Sequence, residues 1–202
     1  MAGNREFVSR RLHSLFGVVP IGLFLIVHLT VNHFATSGVA SFNKAANFME
    51  SLPFVRVLEW ILIYLPLLFH AIYGLYIAFT ATNNVGRLGF LRNWMYLLQR
   101  ITGVITLIFL AWHVWETRIA MAFGAALNFQ MMQHILSSPF MFGFYLVGVI
   151  STIFHFSNGL WSFMVSWGIT VSPRSQVIST YVTLVIFILL SIVGIQAMLA
   201  FV

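Results

Sequence analysis

The sequence predicts an all-α membrane protein that forms a single domain with five transmembrane helices, and three observations support this. Of its 202 residues, 60% are hydrophobic and 7% are charged, and the mean hydropathy is +0.96. Such a chain has too few polar groups to cover a surface in water. Its apolar runs are unbroken, whereas the strands of a barrel would alternate. Because lipid offers no partner for backbone polar groups, helices are the expected spanning elements.

Five apolar segments are each about 20 residues or longer, which is enough to cross a bilayer. In chain order they cover residues 12–34, 56–81, 92–118, 140–165 and 177–202. Turn-forming residues separate the last four segments from what precedes them, at Ser51-Leu52-Pro53, Asn83-Asn84-Val85-Gly86, Ser137-Ser138-Pro139 and Ser172-Pro173. The pair Arg10-Arg11 before the first segment resembles an export signal, but that segment is long and lacks a small-residue cleavage site, so we expect an uncleaved first helix.

Composition and charge exclude several classes of function. The chain has no cysteine, so it holds no disulfide, no thiolate-bound zinc and no cysteine-ligated iron–sulfur cluster. The net charge of +6 comes from residues scattered at helix ends, which does not suggest nucleic-acid binding. Seven of the ten basic residues fall on the side of the N-terminus and three on the other, so the N-terminus is expected in the cytoplasm and the C-terminus outside.

An internal repeat relates the first four segments. The first and third share the pattern Phe-Leu-x-x-His, which ends at His28 and at His113. The second and fourth share Phe-His-x-x-x-Gly-Leu, which places His70 and His155 at equivalent positions. Both histidine pairs are separated by the same 85 positions. A duplicated two-helix unit places equivalent residues at equal depth around an axis along the membrane normal, and the fifth segment lies outside this repeat.

The four repeated histidines are candidate axial ligands of two hemes. A lone intramembrane histidine has the alternative of an interhelical hydrogen bond, but that role gives no reason for recurrence at one offset. From helix rise, His28 and His113 lie about 10 Å from the outer helix ends, and His70 and His155 lie nearer the middle and the inner side. The sequence therefore predicts two bis-histidine sites at different depths. Such irons have no open position and serve electron transfer.

Other polar residues allow two interpretations each. Structural roles at the membrane interfaces are the favoured interpretation of His33, His134 and His13. His13 could instead contact heme propionates, the head of a quinone or a cytoplasmic partner. Arg100 lies inside the third segment and either meets a propionate or extends its side chain to the interface. Glu59 and Glu116, near outer helix ends, are either solvated or exchange protons with a quinone.

Two glycines follow the even-segment histidines at the same spacing. Gly74 and Gly159 each lie four residues after a histidine on the same helix face. A missing side chain there would admit either a porphyrin or a neighbouring helix.

Four longer motifs make the chain resemble a known family. They are Arg-Arg-Leu-His-Ser-Leu-Phe-Gly from Arg10, Ser-Leu-Pro-Phe from Ser51, Trp-His-Val-Trp-Glu-Thr-Arg from Trp112, and His-Phe-Ser-Asn-Gly-Leu-Trp-Ser-Phe from His155. The whole chain resembles the diheme cytochrome b membrane anchor of Bacillus-type succinate dehydrogenases, which are succinate:menaquinone oxidoreductases.

This resemblance implies two hemes b, one between His28 and His113 and one between His70 and His155. It also implies a flavoprotein subunit and an iron–sulfur subunit on the cytoplasmic side of the bacterial membrane, and menaquinone as electron acceptor. The chain would reduce quinone as part of that complex and would oxidise no succinate alone. Electrons would reach the heme of His70 and His155 first, and quinone would be reduced near the outer face. The alternatives are a fumarate reductase anchor, a cytochrome b subunit of another quinone-linked dehydrogenase, and a heme-free structural anchor.

Overall fold

The computed structural model describes residues 2–202, and it confirms the all-helical fold. Five helical stretches are long and apolar enough to cross a membrane, and no strand occurs among the described residues. The first to fifth spans cover Gly3–Ser37, Val55–Thr80, Leu91–Ala122, Pro139–Ser166 and Pro173–Leu199.

Three of the five spans change helical geometry along their length, whereas the fourth and fifth are uninterrupted α-helices. The first span lies within the helices Ala2–Val18 and Pro20–His33 and ends in a 3-10 turn at Phe34–Ser37. The second consists of Val55–Glu59, a π-helical turn at Trp60–Tyr64 and Leu65–Thr80. The third consists of Leu91–Val114, a π-helical turn at Trp115–Ile119 and Ala120–Ala122. Two shorter helices, Val39–Glu50 and Phe129–Leu136, lie in the loops opposite the N-terminus.

The helix ends differ from the predicted limits because hydropathy marks only the part of a helix that lies in lipid. The first helix begins near Ala2 and not at residue 12, and the polar extension carries an ion pair between Glu6 and Arg10 of 2.8 Å. The fifth span begins at Pro173 and not at residue 177, since Ser172 and Ser175 form a reciprocal capping box before it. It ends at Leu199.

The fourth span lies at the centre of the bundle and packs against the first, third and fifth. Its Gly148 makes the contact with the third span possible, because a Cβ at this position would lie 2.2 Å from Cγ of Phe109. On the other side, a Cβ at Gly194 of the fifth span would lie 3.0 Å from Cγ1 of Val149. Small residues therefore let these helices approach closely, as is typical of membrane bundles.

An aromatic cluster covers the bundle on the side opposite the N-terminus. Phe42 and Phe129, one from each loop helix, pack against Phe201 with ring centres 5.1 Å and 4.9 Å from it. All three side chains are buried. The loop helices thus close this end of the bundle over the chain terminus.

Candidate functional site

The four repeated histidines meet in two pairs inside the bundle. In the odd-span pair, the rings of His28 and His113 have centres 5.8 Å apart and planes inclined at 75°. In the even-span pair, the rings of His70 and His155 have centres 6.0 Å apart and planes at 88°. Two imidazoles bound to opposite sides of one iron, each through a bond of about 2 Å, have ring centres about 6 Å apart. Both pairs therefore have the spacing that a bis-histidine heme requires.

Backbone carbonyls hold the even-span pair in one tautomer. Nδ1 of His70 lies 2.9 Å from the carbonyl oxygen of His13, and Nδ1 of His155 lies 3.0 Å from that of Gln99. A carbonyl oxygen only accepts hydrogen bonds, so each Nδ1 carries the proton. Each Nε2 then keeps its lone pair, which is the arrangement typical of metal-bound histidine.

Two glycines make these hydrogen bonds sterically possible. Gly17 and Gly103 each lie four residues after the accepting carbonyl, on the same helix face. A Cβ at Gly17 would lie 2.4 Å from Cε1 of His70, and one at Gly103 would lie 2.9 Å from Cε1 of His155. Any larger residue would therefore hold the imidazole away from its acceptor.

The spacing of these residues explains why the repeat alone did not predict them. Gly17 and Gly103 are 86 positions apart, whereas His28 and His113 are 85 apart. The additional residue falls in the first span between Gly17 and His28, where the helix is interrupted before Pro20. A search of the repeat that allowed one inserted residue at this proline would have found both glycines.

Side chains, and not peptide groups, contact the ring of His113 in the odd-span pair. Its Nδ1 lies 3.2 Å from the hydroxyl oxygen of Tyr145, and that hydroxyl donates to Oε2 of Glu116 at 3.1 Å. Because the tyrosine has a single proton and gives it to the carboxylate, its oxygen accepts from Nδ1 of His113. Nε2 of His113 is again the free nitrogen. Neither contact was predicted from the sequence, since both depend on Tyr145, which lies on another span.

The polar residue four positions after each odd-span histidine bonds back to its carbonyl. Asn32 donates to the carbonyl oxygen of His28 at 2.9 Å, and its amide nitrogen also lies 3.4 Å from Nε2 of that ring. Thr117 donates to the carbonyl oxygen of His113 at 2.6 Å. Asn32 and Thr117 are themselves 85 positions apart, so the repeat extends beyond the histidines.

Gly74 and Gly159 make room for neighbouring side chains. A Cβ at Gly74 would lie 3.1 Å from Nε2 of His13, and one at Gly159 would lie 3.2 Å from Nε2 of Gln99. The ring of His13 also stacks on that of His70, with centres 4.1 Å apart and planes at 6°. His13 thus lies against the even-span pair.

The remaining candidates separate into buried and exposed groups. The guanidinium of Arg100 lies over the ring of Tyr96, 4.0 Å from its centre, and its Nη1 is buried without a hydrogen-bond partner among residues 2–202. His33 has a buried Nδ1 that likewise lacks a partner in the described part of the chain. His134 is exposed on the second loop helix.

The two acidic candidates have different environments. Glu59 belongs to a four-residue ion cluster in which Arg118 pairs with Glu59 and, at 2.8 Å, with Glu50. Arg56 completes the cluster at 3.4 Å from Glu59 and 3.9 Å from Glu50. The cluster joins the first loop helix to the second and third spans, so Glu59 is neutralised by arginine. Glu116 instead bonds to Tyr145.

Comparisons with known proteins identify the family of the chain. Residues 80–194 match the family model described as the transmembrane subunit of succinate dehydrogenase and fumarate reductase. The chain is also 67% identical to the succinate dehydrogenase cytochrome b558 subunit of Bacillus subtilis (strain 168), over the full length of both proteins. The chain therefore belongs to the family of transmembrane subunits of succinate dehydrogenase and fumarate reductase.

Proposed function

We propose that this chain anchors succinate dehydrogenase to the bacterial cytoplasmic membrane and holds two hemes b as axial complexes of its odd-span and even-span histidine pairs. These hemes would carry electrons, one at a time, from the iron–sulfur subunit to menaquinone. The observation that carries the proposal is that both ring pairs, with centres 5.8 Å and 6.0 Å apart, have the separation of imidazoles that share one iron.

The hydrogen bonds of three ligands support the same proposal. His70, His155 and His113 are each held with the proton on Nδ1, by two carbonyl oxygens and by Tyr145 respectively. Fixing the tautomer presents Nε2 to the metal and lowers the entropic cost of ordering the ring. A histidine that only bridged two helices would use its nitrogens for the partner helix, whereas here the second nitrogen remains available.

Two basic residues are proposed partners of the heme propionates. Arg100 follows Gln99, whose carbonyl bonds to His155, and its buried Nη1 has no partner among the described residues. A propionate would supply the missing charge and acceptor. His13 is the second candidate, since its ring stacks on His70 and therefore lies at the even-span site.

The charge distribution and the family support a proposal for the orientation and the partners. We propose that the N-terminal side, which carries most of the basic residues, faces the cytoplasm, where the flavoprotein and iron–sulfur subunits would dock. The C-terminus would then lie outside. Quinone would bind near the outer face, close to the odd-span pair. Of the two acidic candidates for proton exchange with it, Glu116 is better placed than Glu59, because Glu59 is paired with arginine.

Heme titration of histidine variants tests the proposal. We expect two b-type hemes per chain in the purified complex, from the reduced-minus-oxidised spectrum and pyridine hemochrome content. His28→Ala and His70→Ala should each remove one heme and leave at least part of the other's spectrum. His134→Ala, on an exposed loop position, is the matched control and should keep both. A heme-free structural anchor predicts a colourless protein, so fewer than two hemes in the unmodified complex would refute the proposal.

A further inference from the structure

The two histidine pairs differ in what accepts the hydrogen bond from the ligand ring. In the even-span pair both acceptors are peptide carbonyls, at 2.9 Å and 3.0 Å. In the odd-span pair the acceptor for His113 is the phenol oxygen of Tyr145, which itself donates to the carboxylate of Glu116. The hydroxyl of Tyr145 therefore connects His113, a predicted heme ligand, to the ionisable side chain of Glu116. The two histidines of the even-span pair bond to peptide carbonyls instead.

Packing holds the middle member of this connection in a fixed position. Tyr145 is 2% exposed, and its ring meets those of Phe109 and His113 edge-on, with centres 5.2 Å and 5.6 Å away. Glu116 lies in the π-helical turn that begins directly after the helix bearing His113. Such turns are frequent at functional sites, because they redirect side chains within a helix. Here the turn directs Glu116 towards the fourth span.

The internal repeat does not account for Tyr145 or Glu116. The positions 85 residues before them hold Trp60 and Val31, which cannot form this connection. By contrast, the ligands themselves and the back-bonding residues Asn32 and Thr117 follow the repeat. The relay is thus an addition to one half of the molecule.

We propose that Tyr145 is a positioning residue that, together with Glu116, orients the His113 imidazole and increases its electron donation to iron, which lowers the reduction potential of the odd-span heme. The proposal rests on the proposed function, because it requires His113 to be a ligand. A phenol that donates to a carboxylate is polarised and accepts more strongly than an isolated hydroxyl. A stronger acceptor on Nδ1 makes the ligand more basic, which favours ferric over ferrous iron.

Removal of the hydroxyl in the intact complex tests the proposal. Tyr145→Phe keeps the ring packing, so both hemes should be retained. We expect the potential of the odd-span heme to rise, and its largest EPR g value to change as His113 becomes free to turn. Glu116→Gln keeps a neutral acceptor for the hydroxyl and should produce a smaller rise. The potential of the even-span heme should be unchanged in both variants. Tyr181→Phe, at an exposed position of the fifth span, is the matched control and should change neither heme.

The outcomes separate this proposal from the proposed function. A complex that lacks two bis-histidine hemes before any substitution contradicts the proposed function. A complex with both hemes whose potentials and g values are the same with and without Tyr145→Phe contradicts the relay alone. If Tyr145→Phe lost the odd-span heme, Glu116→Gln would decide, since a rise in that heme's potential supports the relay and an unchanged potential overturns it.

Discussion

Replacing Gly17 by alanine should weaken the proposed even-span heme site, although the substitution favours helix formation. Gly17 lies on the first span, directly against the ring of His70. In an isolated helix, alanine is about 1 kcal/mol more favourable than glycine. The gain in helix propensity would stabilise the protein, whereas a clash with the ring of His70 would destabilise it. The sign of the measured change in stability therefore shows which effect dominates.

The distances set the size of the expected effect. The new Cβ would lie 2.4 Å from Cε1 and 2.8 Å from Nδ1 of His70, and carbon atoms in ordinary contact are at least about 3.5 Å apart. A retreat of the ring by about 1 Å would stretch the 2.9 Å bond to the carbonyl of His13 beyond hydrogen-bonding distance. Overpacking costs about 1 to 3 kcal/mol and the lost hydrogen bond about 1 kcal/mol. After the helical gain, we expect a net loss of about 1 to 3 kcal/mol.

Thermal bleaching of the heme absorbance and heme content per chain measure this effect. Gly17→Ala should lower the bleaching temperature and the occupancy of the even-span heme. Gly103→Ala should lower both quantities by less, because its Cβ would lie 2.9 Å from the ring of His155, compared with 2.4 Å between the Cβ at Gly17 and the ring of His70. Gly143→Ala is the matched control, since no heavy atom lies within 4 Å of its Cβ. If Gly17→Ala were as stable as Gly143→Ala and kept both hemes, the role assigned to the glycine would be wrong.

Three further predictions concern other contacts. Gly148→Ala should destabilise the bundle by about 1 to 3 kcal/mol through overlap with Phe109, measured by unfolding in mixed micelles, and full stability would contradict the packing described. Arg118→Gln should destabilise the bundle by about 1 to 3 kcal/mol because it leaves Glu50 and Glu59 sharing the more exposed Arg56, at 3.9 Å and 3.4 Å, and adding Glu59→Gln should restore part of the loss. Arg100→Gln should lower the potential of the even-span heme without removing it, because a nearby cation favours the reduced iron, and an unchanged potential in a redox titration would exclude the propionate contact.

The fold and the histidine pairs were predictable because both depend on patterns within the sequence. Lipid requires long apolar helices, and these are visible as unbroken runs whatever their neighbours. The pairing of His28 with His113 followed from one constant offset, since equivalent residues of a parallel repeat lie at equal depth. Neither inference needed a side-chain contact.

The surroundings of the histidines were not predictable because they depend on contacts between spans. Tyr145 meets His113 across 32 positions, and nothing in the local sequence distinguishes it from another membrane tyrosine. Likewise, Arg118 is separated from Glu50 by 68 positions, although both reach one ion cluster. Glu59 had two sequence interpretations, solvation or proton exchange, and it lies instead between two arginines.

The acceptors of the even-span pair belong to the main chain, so no point substitution can delete them. A library that randomises positions 13 and 99 would keep both oxygen atoms in every member, whichever amino acids were encoded. The genetic constraint should instead fall four residues further along, on Gly17 and Gly103, where only the smallest residue leaves room for the imidazole. Variation among natural homologues should accordingly be narrow at those two glycines.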